Sequence, residues 1–232
     1  MAKILENKKF ENGYFLLKVD QGGEATPGQF YMLHPKDGGL LLPRPLSIFD
    51  QDKETTTFLI AVVGKGTKTL EDLHVGDPIE MEGPYGNGFE KPNGKKTLCI
   101  GGGTGIAPFY HMSKFWKDED FSIRIGLRER SEELEEIFER ASDSIEFVYG
   151  GFVTEKMSVE NIDQMYTCGP IPMMKSVFEK RENLPVYISL EERMGCGFGA
   201  CLACSCETKS GRKKTCVDGP VYSGEEMLWE SK

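Results

Sequence analysis

Four cysteines near the C-terminal end of the chain have a spacing that few folds accommodate. In the order Cys-x4-Cys-x2-Cys-x11-Cys, they are Cys196, Cys201, Cys204 and Cys216. This spacing is typical of plant-type [2Fe–2S] ligands, in which three thiolates come from one loop and a fourth from a distant residue. Glycines alternate with the residues around the first cysteine, and glycine lets a loop turn its N–H groups towards sulfur. The quartet therefore predicts a cluster-binding loop with these four cysteines as ligands.

Zinc and disulfide bonds are the alternatives for such a quartet. Zinc ribbons usually pair two Cys-x2-Cys knuckles, and only Cys201 and Cys204 form such a knuckle here. Disulfides need an oxidising compartment, and the N-terminus lacks an apolar stretch of signal-peptide length. The seven cysteines of this chain therefore favour a reducing cytoplasm as its location. Cys206 falls outside the spacing and is interpreted as a neighbour of the cluster rather than a ligand.

Charge and hydropathy exclude two classes of partner. The 232 residues carry a formal net charge of -9, so a basic face for nucleic acid or anionic lipid is not expected. No stretch approaches the ~20 consecutive apolar residues of a membrane span. We therefore expect no binding to nucleic acid and no insertion into a membrane.

Residues 1–95 have the pattern of an antiparallel β-barrel. Strand-like apolar runs at 14–19 and 57–63 are bounded by glycine, aspartate and proline. Turn residues punctuate this region at 22–23, 27–28, 37–39 and 76–78. Several short strands separated by turns predict a small closed or nearly closed barrel.

From residue 96 to 190 the pattern changes to strands that alternate with helices. Strands are predicted at 97–100, 121–127, 145–149, 165–168 and 186–189. Ser131 is the expected N-cap of the helix between the second and third of these strands. Alternation of this kind predicts a parallel sheet with right-handed crossovers. The remaining residues, 191–232, are assigned to the cluster module, so the fold class is a β-barrel plus an α/β domain.

Three short motifs have both a binding and a structural interpretation. Gly101–Gly105 follows the first of these strands, and a turn of this kind can bind phosphate through its N–H groups. Ile106 breaks the Gly-x-Gly-x-x-Gly pattern, so a turn that only lets helix and strand pack is an equal alternative. Arg44 lies between two prolines and suits a pyrophosphate, although a surface ion pair is commoner for a single arginine. The glycines of 64–67 would admit a phosphate, although this segment alone favours a hairpin.

The order of the motifs resembles that of the ferredoxin–NADP reductase superfamily. The motifs are Arg-Pro-Leu-Ser (44–47), Gly-Lys-Gly-Thr (64–67), Gly-Pro-Tyr-Gly (83–86), the glycine run with its helix start (101–108) and Cys-Gly-Pro (168–170). With 189–201 and 218–222 included, the whole chain resembles the electron-transfer subunits of B-type dihydroorotate dehydrogenases. The resemblance implies an FAD-binding barrel, an NAD-binding α/β domain and a [2Fe–2S] module.

The same resemblance implies an activity and a partner. Electrons would pass between NADH and the FMN of a separate dihydroorotate dehydrogenase catalytic subunit, through FAD and the cluster, in de novo pyrimidine (UMP) biosynthesis. The implied assembly is a heterotetramer with two copies of each chain. A related flavin/iron–sulfur subunit, of a sulfhydrogenase or an NADH-dependent ferredoxin:NADP oxidoreductase, is the first alternative. A non-enzymatic zinc module on a barrel scaffold is the second, and a visible spectrum would separate it.

The resemblance also implies roles for individual residues. Those expected to hold FAD are Arg44, Pro45, Leu46, Ser47, Leu59, Ile60, Ala61, Gly66 and Thr67. Those expected to receive the nicotinamide nucleotide are Gly102, Gly103, Thr104 and Gly105. Cys168, Ser47 and Glu191 are expected at the hydride-transfer position. A small core residue and a solvated carboxylate are the alternative interpretations of Cys168 and Glu191.

The sequence gives a mixed signal on whether the chain uses NADH or NADPH. The loop 128–131 contains two arginines that would suit a 2′-phosphate, and Glu129 and Glu132 lie beside them. The resemblance favours NADH over NADPH.

Overall fold

A computed structural model describes residues 1–34, 42–142 and 144–229 of the chain. The turn predicted at 37–39 lies outside these residues. Among the helices of the described ranges, none has the length and apolar character needed to cross a bilayer.

The N-terminal region forms a closed six-stranded barrel. Its strands are β1 (Ala2–Lys9), β2 (Tyr14–Val19), β3 (Phe30–His34), β4 (Arg44–Gln51), β5 (Thr56–Ala61) and β6 (Pro78–Tyr85), with helix α1 (Lys65–Glu71) between the last two. The order around the barrel is β1-β2-β5-β4-β3-β6, and neighbouring strands are antiparallel. Alternate residues of β2, namely Phe15, Leu17 and Val19, are fully buried inside. The predicted antiparallel barrel is confirmed.

The segment 64–67 begins a helix, so its interpretation as a hairpin is wrong. The Thr67 hydroxyl accepts the N–H groups of Val63 and Gly64 at 2.9 and 3.2 Å, which closes the first turn of α1. At the other end of the helix, the side chain of Asn7 donates to three carbonyls, the shortest of these bonds being 2.8 Å to Leu73. These bonds satisfy groups that a short helix cannot satisfy alone, and Asn7 on the barrel strand β1 supplies three of the five.

The middle region forms a parallel sheet. Its elements are β7 (Thr97–Gly102), α2 (Ala107–Phe115), β8 (Phe121–Leu127), α3 (Glu132–Glu139), β9 (Ile145–Tyr149), β10 (Gln164–Cys168), α4 (Ile171–Glu179) and β11 (Val186–Ser189). The order across the sheet is β11-β10-β7-β8-β9, so the direction of sheet growth reverses between β7 and β10. The Ser131 hydroxyl accepts the Leu134 N–H at 3.4 Å and caps α3 as predicted.

The C-terminal region forms a hairpin and then returns to the sheet. The hairpin consists of β12 (Ser205–Thr208) and β13 (Gly211–Lys214), and β14 (Val221–Ser223) pairs antiparallel with β11. Tyr222 on β14 is buried among the apolar residues on one face of the sheet, which include Val186 and Ile188. The segment that contains the cysteine quartet is thus anchored by an edge strand of the middle region.

Helix α2 fixes the barrel against the sheet. The rings of Phe49 on β4 and Tyr110 on α2 stack with their centroids 4.1 Å apart. Beside them, the Lys114 ammonium forms an ion pair with Asp50 at 2.5 Å. This interface brings β4 and β5 opposite the turn after β7 and the carboxyl end of β11.

Candidate functional site

A cavity of about 490 Å³ lies where the barrel, the sheet and the C-terminal region meet. Its barrel wall consists of Phe30, Arg44, Pro45, Leu46, Ser47, Leu59, Ile60, Ala61, Val63 and Thr67. The facing wall consists of Thr104, Ser189, Leu190, Glu191, Glu192, Arg193, Met194 and Pro220. The structure therefore brings together the residues predicted to hold FAD, except Gly66. It also brings Glu191 to the opposite wall from Ser47.

Gly66 acts on the cavity through Arg44. A Cβ atom at Gly66 would lie 2.1 Å from Nε of Arg44, far inside van der Waals contact, so only glycine lets the guanidinium lie against α1. Nη1 of Arg44 donates to the Leu42 carbonyl at 2.7 Å and fixes the other edge of the guanidinium. The planar cation is thereby held at one end of the cavity, where it suits a bound pyrophosphate.

On the facing side of the cavity, the pKa values of Glu191 and Cys168 are both raised. Glu191 reaches solvent through the cavity, but protein surrounds its carboxyl closely, and this burial raises its pKa. Cys168 does not line the cavity; it is fully buried in the core between barrel and sheet. Burial raises the pKa of its thiol, and the nearby Glu191 carboxylate raises it further. Cys168 therefore lies behind the cavity wall as a neutral thiol.

The glycine-rich turn after β7 packs against the turn after β10. A Cβ at Gly105 would lie 2.3 Å from the Cys168 carbonyl oxygen, and one at Gly169 would lie 2.7 Å from the Gly102 carbonyl oxygen. Close packing is therefore one reason for the glycines. Gly103 differs, because its φ is +60° and, of the atoms in the described part of the chain, a Cβ there would meet only the Tyr14 hydroxyl, at 3.6 Å. These turns follow the two strands at which the sheet order reverses, which is where ligands bind in open α/β sheets.

The loop after β8 contains an ion pair that sequence reasoning missed. The Arg130 guanidinium bonds the Glu135 carboxylate at 2.9 Å, and the Tyr149 hydroxyl donates to the same carboxylate. Glu135 is on α3, and its offset of five from Arg130 is not a helix-pair spacing. Arg130 is thus already paired with a carboxylate, which disfavours a 2′-phosphate.

The cysteine quartet is arranged as two pairs. The Cys204 and Cys216 sulfurs are 3.2 Å apart, and the Cys201 thiol hydrogen-bonds that of Cys196. The Cys196 sulfur also accepts N–H groups from Ala200 at 3.3 Å and Cys201 at 3.4 Å. Burial raises the pKa of Cys196, but these backbone hydrogen bonds outweigh it and lower the pKa to about 7.

Paired sulfurs fit two iron atoms better than one zinc ion. Among the residues described, no three His, Cys, Asp or Glu side chains converge on one metal-ion position. A [2Fe–2S] centre needs two thiolates on each iron, whereas structural zinc needs four ligands around one point. The N–H groups directed at Cys196 are also the kind of contact that cluster loops make with sulfur. The donor set therefore fits an iron–sulfur cluster.

Cys206 points away from the quartet. Its thiol donates to the Tyr222 hydroxyl at 3.8 Å and accepts from the Thr215 hydroxyl at 3.6 Å. It is buried among apolar residues of the sheet, whereas Cys204 packs elsewhere. This placement supports its interpretation as a neighbour of the cluster site.

The cavity and the quartet share an apolar wall. Phe30, Met32, Met194, Cys204 and Cys216 pack together as one buried cluster of side chains. Phe30 and Met194 also line the cavity. Sequence reasoning missed both residues, because an apolar side chain at either position carries no sign of this contact.

Comparisons with known proteins agree with this arrangement. Residues 191–228 match the model of the iron-sulfur cluster binding domain of dihydroorotate dehydrogenase B. The dihydroorotate dehydrogenase B (NAD(+)) electron transfer subunit of Clostridium acetobutylicum is 38% identical over 237 residues, covering 98% of this chain and 96% of that protein. Its counterpart from Caldanaerobacter subterraneus is 37% identical over 244 residues, covering 98% of each.

Solved structures show the same fold. A structure described as an NADH-dependent reduced ferredoxin-NADP oxidoreductase superposes with a TM-score of 0.85 at 28% identity, covering 99% of this chain and 90% of that chain. A ferredoxin reductase of carbazole 1,9a-dioxygenase superposes with a TM-score of 0.67 at 21% identity, covering 81% and 67%, and shows the fold alone. The relatives are 37–38% identical to this chain over nearly its full length, so the chain belongs to the family of dihydroorotate dehydrogenase B electron transfer subunits.

Proposed function

We propose that this chain passes electrons between NADH and the FMN of a dihydroorotate dehydrogenase catalytic subunit, in de novo pyrimidine (UMP) biosynthesis. The observation that carries the proposal is the wall of Phe30 and Met194 shared by the cavity and the cysteine pair Cys204/Cys216. FAD in the cavity would supply hydride chemistry, and a [2Fe–2S] cluster on the quartet would supply one-electron transfer. Two such sites in direct contact suit electron transfer and need no site for an organic substrate.

The barrel wall of the cavity supports the FAD assignment. Arg44 would pair with the pyrophosphate, since a guanidinium bonds phosphate oxygens bidentately. Thr67 uses its hydroxyl to close the first turn of α1, so it and Gly66 would offer the phosphates backbone N–H groups. Leu46 would lie beside the flavin ring, Ser47 near its reactive edge, and 59–61 would contact it mainly through the backbone.

The facing wall would receive the nicotinamide nucleotide. Gly102–Gly105 lie at the reversal point of the sheet order, and Thr104 lines the cavity itself. Glu191 lines the same cavity as Ser47, so both can contact a ring bound there. Cys168 would support the hydride-transfer position from behind, through its contact with the turn at Gly105.

Exposed apolar side chains around the quartet support a protein partner. Phe198 and Leu202 are each 60% exposed, and Val217 is 42% exposed. Large apolar side chains left exposed in one region are typical of protein interaction sites. The partner would be the FMN-containing catalytic subunit, with two copies of each chain in the complex, in a reducing cytoplasm.

A related complex is the second candidate. The likeness to an NADH-dependent reduced ferredoxin-NADP oxidoreductase structure, at a TM-score of 0.85, favours the same cofactor arrangement with a different partner. A sulfhydrogenase subunit would share these features as well. Only the partner separates these functions.

The test is purification under anaerobic conditions, followed by cofactor analysis and capture of partners. We expect one FAD and two irons per chain, and co-purification of a flavoprotein dehydrogenase that contains FMN. One zinc per chain without iron would contradict the cluster assignment. Capture of hydrogenase or ferredoxin:NADP oxidoreductase subunits instead would contradict the partner.

A matched pair of variants tests the docking surface. Phe198→Glu places a charge beside the quartet, and Phe152→Glu places one at a still more exposed phenylalanine, 76% exposed, after β9. We expect Phe198→Glu to weaken the complex at least tenfold, with both cofactors retained, and Phe152→Glu to leave its affinity unchanged. Equal effects of the two substitutions would exclude docking at the quartet.

A further inference from the structure

One peptide group in the cysteine loop has a cation on one side and a cysteine sulfur on the other. The carbonyl oxygen of Gly199 accepts a hydrogen bond from Nζ of Lys214 at 3.4 Å. The N–H of the same peptide unit, which belongs to Ala200, donates to Sγ of Cys196 at 3.3 Å. Lys214 is therefore connected to a proposed iron ligand through a single amide.

Glycine at position 199 makes this arrangement possible. Its φ is +88°, in the left-handed region, and a Cβ there would lie 2.7 Å from Val217 and 3.1 Å from Nζ of Lys214. The N–H of Gly199 in turn hydrogen-bonds the Cys216 sulfur. Two successive N–H groups thus point at sulfurs of different pairs, and Lys214 lies on the carbonyl side.

Among the described residues, the Lys214 ammonium forms no ion pair, although a carboxylate lies near its backbone. Lys214 ends β13 and is half-buried. The neighbouring Asp218 carboxylate accepts the backbone N–H of Lys214 at 2.6 Å. Within the described ranges, no ion pair involves the Lys214 ammonium. Its field therefore acts on the loop.

We propose that Lys214 is a positioning residue that raises the reduction potential of the cluster through the Gly199–Ala200 peptide. A cation at the carbonyl polarises the amide and strengthens its N–H···S hydrogen bond. Such hydrogen bonds and the local net charge set the potentials of iron–sulfur clusters. Reduction adds one negative charge to the cluster, and the positive charge of Lys214 favours the reduced form. The inference rests on the proposed assignment of the four cysteines as ligands.

Three variants separate charge from structure. Lys214→Met keeps the length of the side chain and removes its charge, whereas Lys214→Arg keeps the charge. Lys213→Met is the control, because Lys213 precedes Lys214 on β13 and therefore lies on the opposite face of the strand. All three are made in the full chain with its cofactors.

The measurement is the midpoint potential of the cluster, from a dye-mediated redox titration followed by electron paramagnetic resonance. We expect the reduced-to-oxidised ratio of Lys214→Met at a fixed potential to fall several-fold, where a tenfold fall corresponds to about 59 mV for one electron. Lys214→Arg and Lys213→Met should match the wild type. Equal potentials for Lys214→Met and the wild type, or the same shift in Lys213→Met, would overturn the inference.

Two further outcomes are informative. If Lys214→Met loses its cluster, the comparison moves to Lys214→Gln and Lys214→Arg, and equal potentials in that pair overturn the inference. A wild-type chain without iron would refute the ligand assignment of the proposed function, whereas an intact cluster whose potential ignores Lys214 would refute only this inference.

Discussion

Gly66→Ala is expected to weaken FAD binding without weakening the fold. The added Cβ would lie 2.1 Å from Nε and 2.3 Å from Nη2 of Arg44, so the guanidinium must leave its place against α1. The backbone does not resist the change, because Gly66 is within a helix and its φ is not in the left-handed region. Alanine in a helix is favoured over glycine by about 1 kcal/mol, which acts in the direction of greater stability.

The size of the effect follows from the interaction that is displaced. A hydrogen bond to a charged group contributes about 1.5–3 kcal/mol, and the moved guanidinium would lose its bonds to the pyrophosphate. Because each ~1.4 kcal/mol is a factor of ten, the dissociation constant of FAD should rise about 10- to 150-fold. The assay is titration of FAD into the flavin-free chain, followed by quenching of flavin fluorescence, with urea unfolding of the same flavin-free samples.

Gly64→Ala is the matched control for this prediction. Gly64 precedes α1, its backbone is extended, and a Cβ there would meet no atom within 4 Å among the described residues. We expect its FAD affinity to stay within about threefold of the wild type, since exposed substitutions usually cost less than ~0.5 kcal/mol. If Gly66→Ala binds FAD as tightly as Gly64→Ala, Arg44 is not the pyrophosphate anchor.

Four other substitutions test separate parts of the molecule. Cys201→Ser should abolish the cluster but keep FAD and the NADH-dependent reduction of an artificial acceptor, whereas Cys206→Ser should keep both cofactors. Visible spectra and iron analysis measure both outcomes, and loss of the cluster in Cys206→Ser would contradict the ligand set. The wild type should prefer NADH. Glu135→Gln should free Arg130 and raise kcat/KM for NADPH relative to that for NADH. An unchanged ratio of the two kcat/KM values would show that this ion pair does not determine which nucleotide is used. Burial holds the pKa of His111 at about 4, so the folded state binds fewer protons than the unfolded state and stability should fall by about 2 kcal/mol between pH 7 and 5. His111→Leu should remove that fall, as urea unfolding at the two pH values would show.

Strands with local signals were predicted closely. The bounds of β2, β8, β9 and β11 agree with the sequence prediction to the residue, because each is an apolar run between turn residues. Helix α1 was missed because it has seven residues and its C-terminal carbonyls are capped by Asn7, which is 63 or more positions away in sequence. No local pattern encodes such a contact.

The parts of the candidate site also differ in whether a local sequence pattern reveals them. The quartet was identifiable because three of its cysteines fall within nine residues and ligand spacing is a local property. The barrel side of the cavity was identifiable only through the order of several motifs. The wall of Phe30 and Met194 could not be identified from the sequence. It joins β3 to a loop more than 160 positions later, and apolar residues at such positions carry no sign of their partner.

The cysteine region is fixed to both other parts of the molecule. On the barrel side, the N–H of Asn87 donates to the Gly219 carbonyl at 2.6 Å and its side chain donates to the Val217 carbonyl at 3.1 Å. On the sheet side, the N–H of Leu190 donates to the Pro220 carbonyl at 2.9 Å, directly before β14 joins the sheet.

This double attachment has a consequence for electron transfer. The segment just after the quartet, residues 217–220, is thus hydrogen-bonded both to the barrel side and to the sheet side, so the packed fold sets the separation between the proposed flavin site and the proposed cluster site. Under the proposed function, internal transfer between FAD and the cluster would therefore need no lid or swinging domain. Under the same proposal, the step that depends on a second protein would take place where the quartet reaches the surface, at the exposed side chains of Phe198 and Leu202.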